Sequence, residues 1–107
     1  MSKLFFDDII TFERISVVIG NTTQSEEERH ELWKVVDDIV YHEVLHFILA
    51  ALDEKHHAEF ANMIQIKPYD SHIIQYVSYK TGRKIKSELK RHLKDLEQQI
   101  LESLLDK

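Results

Sequence analysis

Turn-forming chemistry is almost absent from this chain: two glycines, Gly20 and Gly82, and one proline, Pro68, serve all 107 residues. A sheet protein of this length would need a turn every 8 to 12 residues or so, and long helices are what remains. At this length there is room for one domain and one core. With 43% apolar and 31% charged residues, the balance is that of a globular protein rather than a disordered tail or a membrane segment. The expected fold is all-α: one domain over residues 1–107, a compact bundle of four to five helices around one long central helix.

There is no cysteine, so a disulfide framework, a thiolate metal site and a thiol nucleophile are all excluded, and a reducing compartment fits. The stretch from Met1 to Val18 carries Asp7, Asp8, Glu13 and Arg14 among its apolar residues, which breaks up any signal-peptide or membrane-span core. A cytoplasmic protein with no membrane association is expected.

The periodicity places five helices. Leu4 to Ile19 reads as the first, with Phe5, Ile9 and Phe12 down one side, ending at Gly20. Ser25 followed by Glu28 forms a capping box, which opens a helix from about Glu26 to Leu52. Leu32, Val36, Ile39, Val40, Phe47 and Ala51 form its main apolar face. Leu45, Leu49 and Leu52 lie almost opposite, so this spine needs cover on several sides. Asp53 can cap a third helix at 54–63, and Asp70 a fourth at 71–79, with Lys67-Pro68-Tyr69 as the turn between. After Thr81-Gly82 a last helix, 83–105, carries Ile85, Leu89, Leu93, Leu96, Ile100 and Leu104 on one stripe.

Leu52-Asp53-Glu54, His57-Ala58-Glu59-Phe60 and Tyr69-Asp70 occur in an order that resembles small uncharacterised all-helical proteins of reduced-genome candidate bacterial phyla. The resemblance spans about Ser25 to Leu105. It implies a helical domain and carries no activity with it.

His42-Glu43-Val44-Leu45-His46 is an HExxH pattern. On a helix the two histidines share a face and can hold one zinc ion while the glutamate activates its water. Glu43 sits among Ile39, Val40, His46 and Phe47, where a carboxylate needs a partner. A tyrosine, a histidine or Arg14 would serve. The glycine and third histidine that complete the best-known zinc-protease motif are replaced, with Leu49 and Leu52 in those places, and Glu54, His56, His57 or Glu59 would have to fold back as a ligand. Glu43 with His46, Glu27 with His30 and Glu54 with His57 also match the ExxH spacing of di-iron bundles, with Glu13 as a first-helix donor.

Lys80, Arg83, Lys84, Lys86, Lys90, Arg91 and Lys94 face a single acid, Glu88, in a chain of net charge −5. Cations in the first turn oppose the helix dipole, so a compensating partner is expected. It is either phosphate or another acidic surface outside the fold, or an acidic stretch inside it, Glu26 to Glu31 or Asp37 and Asp38. No aromatic is interleaved with these cations, and Trp33 and Tyr69, Tyr76 and Tyr79 read chiefly as core filling.

Three readings follow. The first is a non-enzymatic interaction or assembly module with no cofactor and no catalytic residue, its partner a protein. A symmetric second copy would cover apolar surface that the short helices leave open. The second is a metal-binding helical protein using His42, Glu43 and His46. The third is a nucleic-acid or acidic-partner binder using the cations of residues 80–94.

Overall fold

A computed structural model describes residues 4–105. Five α-helices follow one another: α1 Glu13–Thr22, α2 Glu26–Ala51, α3 His57–Ile66, α4 His72–Thr81 and α5 Ile85–Leu105, with a short 3-10 turn at Glu54–His56 leading into α3. The all-α bundle expected from the scarcity of turn residues is the fold observed.

α2 has 26 residues, hence a length of about 39 Å, close to the 46 Å long dimension of the molecule. Val36, Val40, Val44, Ile48 and Leu52 recur every fourth residue along its buried line. α5 lies antiparallel beside it: His92 meets Glu43, while Leu104 meets Leu32 and Glu31 near the start of α2. Ile85, Leu89 and Leu93 are fully buried on α5, which packs against α1, α2 and α4.

The ends of the elements follow from local hydrogen bonding. The Ser25 hydroxyl accepts the Glu28 N–H at 3.1 Å, which is half of the expected capping box. Asp70 caps the fourth helix by accepting the His72 N–H at 3.0 Å. Asp53 stands at the start of the 3-10 turn, but only its backbone carbonyl takes part, accepting the His56 N–H. Gly82, with φ of 67°, is the left-handed residue that ends α4.

The first helix departs from expectation. Residues 5–9 form turns, and α1 begins only at Glu13, then runs through Gly20 to Thr22. Asp7 closes the upstream turn by accepting the Leu4 N–H, and the Phe5 N–H donates to the Pro68 carbonyl at 2.8 Å. These bonds let the adjacent residues Phe5 and Phe6 both be buried: Phe5 packs edge-on to Phe60, and Phe6 against Tyr41. The turns point Phe5 at α3 and Phe6 at α2, two elements that one helical face would not reach together. The downstream bounds move less: α3 runs on to Ile66, α4 covers 72–81, and α5 starts at Ile85.

Candidate functional site

The exposed face of α2 carries the strongest candidate site. Ile39, expected in the core, is 41% exposed, and Val35 four residues earlier is 53% exposed. Both line an open groove of about 310 Å³ between α2 and α5, together with Leu32, Val36, Leu96, Ile100 and Leu104. Large aliphatic side chains gathered in one concave patch mark surface that water covers at a cost. Beyond this patch in either direction α2 turns polar: Glu28 and Glu31 lie towards its start, His42 and His46 towards its end, all four exposed. At 3.6 residues per turn these six residues fall within about 80° of one another, so they form one stripe.

The HExxH residues sit at the far end of that stripe, and the fold does not gather them around a common point. His42 is exposed, and its Nδ1 lies 2.8 Å from the carbonyl of Asp38, one turn earlier. Glu43, expected on a buried apolar face, is instead 36% exposed and meets His92 of α5, with Oε1 2.8 Å from Nε2. The His92 ring in turn lies 5.0 Å from Phe47. Glu43 thus finds a histidine as its partner, on a helix that sequence spacing did not connect to it. The antiparallel register of α2 and α5 is what brings the two together.

Of the other ExxH residues, His57 is spent on structure. His57 lies partly buried beneath the end of α2, and its Nε2 reaches the carbonyls of Leu49 and Leu52 at 2.8 and 3.0 Å. It thereby satisfies carbonyls that a helix terminus leaves without partners. Glu59 accepts from the Tyr76 hydroxyl at 2.5 Å, tying α3 to α4 and helping to push the phenol up to about 12, with burial the larger cause. Glu27, His30 and Glu13 are exposed. Among the described residues no group of three or more His, Asp or Glu is placed to hold a metal ion.

The basic segment finds little compensation inside the fold. The Arg83 guanidinium pairs with Glu88, which holds that carboxylate below its ordinary range. Among the described residues no carboxylate lies within ion-pair distance of Lys84, Lys86, Lys90 or Lys94. The acids of residues 26–31 do not lie alongside: antiparallel packing sets Glu28 and Glu31 beside Leu104, some 27 Å along α5 from Lys86. Asp37 is no counter-ion either. Burial first, and then its neighbours Asp7 and Asp38, raise its carboxyl above the usual range.

The aromatic residues divide. Trp33 packs partly buried against the core as expected. Tyr69 and Tyr79 do not fill it: Tyr69 is 59% and Tyr79 82% exposed, and the Lys80 ammonium lies 5.6 Å from the Tyr79 ring centre. An aromatic ring therefore stands at the head of the basic segment, where the sequence offered no interleaved platform.

Among the described residues no helix is long and apolar enough to cross a membrane. No family model matches the chain, and no curated protein or solved structure is significantly similar to it.

Proposed function

We propose that this protein is a non-enzymatic, cytoplasmic assembly module that self-associates by docking its α2–α5 face. One observation carries the reading: Val35 and Ile39 stand exposed at the rim of an apolar groove, although the chain has buried Val36, Val40, Val44 and Ile48 on the same helix. Each is already about half covered, so burying the rest recovers about 1 kcal/mol apiece, enough to contribute to a weak association. Sedimentation equilibrium on the protein and on its Val35→Glu/Ile39→Glu variant tests it. The protein should show a mass above the monomer in the micromolar range and the variant the monomer mass. A protein and variant that sediment alike would refute the reading.

A second reading has its own observation, the stripe of Lys86, Lys90 and Lys94, without a carboxylate at ion-pair distance among the described residues and headed by the exposed Tyr79. Successive lysines one turn apart, on a helix that exposes no large apolar residue before Leu105, suit a phosphate backbone better than a protein partner that needs apolar anchors. In this reading single-stranded nucleic acid binds at low salt, and log affinity falls linearly with log salt, as counter-ion release requires. Absence of oligonucleotide binding at 50 mM salt or so, a level at which backbone contacts remain strong, would end it.

A further inference from the structure

We infer that the occupant of the α2–α5 face is a second copy of this chain, with its α2 antiparallel and the two-fold axis passing near position 37. The inference rests on the assembly reading and goes beyond it by fixing the direction and register of the pairing. The argument is the order of chemistry along the exposed stripe of α2: Glu28, Glu31, Val35, Ile39, His42, His46. Acids stand at one end, imidazoles at the other, and aliphatic side chains between.

A sequence of this kind complements its own reversal. Set antiparallel about position 37, Val35 faces the partner's Ile39, and Glu28 faces the partner's His46. The partner's His42 comes level with Leu32, and Glu31 is one residue, about 1.5 Å along the axis, from that level. Each such contact occurs twice, because in an isologous interface residue i meets j and j meets i. In a parallel pairing acids would meet acids, which like-charge repulsion disfavours. The groove fits the same arrangement. It opens beside Val35 and Ile39 and is floored by Leu96 and Ile100 of α5, so the partner's aliphatic side chains enter it from the α2 side. His42 and His46 are thus placed to meet carboxylates of a second copy.

The absence of native cysteine makes the register directly testable. Glu28→Cys and His46→Cys are prepared separately, mixed in equal amounts and oxidised with copper phenanthroline, which takes up the two electrons released as two thiols become one disulfide. The expected result is a covalent dimer in the mixture at least tenfold more abundant than in either variant alone, since Glu28 and the partner's Glu28 lie some 27 Å apart along the helix. Equal cross-linking of Glu28→Cys with itself would overturn the antiparallel register. A dimer by mass that forms no disulfide in the mixture would also overturn it, while leaving the assembly reading in place. A monomer at all concentrations would remove both. The charge order is checked by His46→Glu, expected to weaken dimerisation about tenfold, with Glu28→Lys added in the same chain expected to restore it. Failure of that rescue counts against the pairing.

Discussion

Asp37 is the carboxyl whose environment opposes its ionisation. Burial raises its carboxyl pKa, and Asp7 and Asp38 add like charge from the amino-terminal turn and the next position. A carboxyl whose folded-state pKa lies above its unfolded value weakens the fold as pH rises through that interval, because the folded form then resists losing the proton. Asp37→Asn should therefore raise the melting temperature at pH 7, and the gain should shrink as the pH falls below the carboxyl range. Thermal melts at both pH values decide it. An unchanged or lower melting temperature at pH 7 would contradict the account. His57 makes the converse case. Its Nε2 serves the carbonyls of Leu49 and Leu52 at once, and His57→Ala should cost about 1–2 kcal/mol by leaving helix-terminal carbonyls without that donor. Denaturant unfolding measures the loss.

The two glycines differ in what their elements require of them. Gly82 holds φ of 67°, so Gly82→Ala should destabilise by about 1 kcal/mol whatever the room around it. Gly20 lies inside α1 with nothing within 4 Å of an added Cβ, so Gly20→Ala should stabilise by up to about 1 kcal/mol. The same residue type was read from sequence as a helix stop in both places, and only the second stops one. The first helix was misplaced for a related reason. Its apolar spacing suits a helix from Leu4, but the Leu4 N–H turns back locally onto Asp7 and the Phe5 N–H donates to Pro68, more than sixty residues away. The α5 stripe from Ile85 to Ile100 was legible because its residues repeat every third or fourth position, whereas the burial of Glu97 and Leu101 beside it depends on packing. Leu89→Ala, at a fully buried point of that stripe, should cost about 2–5 kcal/mol.

At the scale of the molecule, what was hidden in the sequence is the register between helices. Glu43 needed a partner, and composition allowed several; antiparallel packing of α2 on α5 selects His92. The same packing keeps the acidic start of α2 away from the basic start of α5, so the two charge centres occupy opposite ends of a body 46 Å long. HExxH was legible as a motif. Its fate was not, because a metal site needs ligands from other elements, and here the nearest imidazole on α5 takes the glutamate itself. The apolar face was legible only as an excess: the central helix has more aliphatic residues than one buried line requires, and Val35 and Ile39 are where the surplus surfaces.

Methyl resonances followed as protein concentration rises test the central claim most directly. If the α2–α5 face is the docking surface, the methyls of Val35, Ile39 and Leu104 will shift together along a single binding curve, while those of Val17 and Ile66, exposed elsewhere, stay where they are. Spectra that do not change with concentration, or shifts confined to Val17 and Ile66, would contradict it.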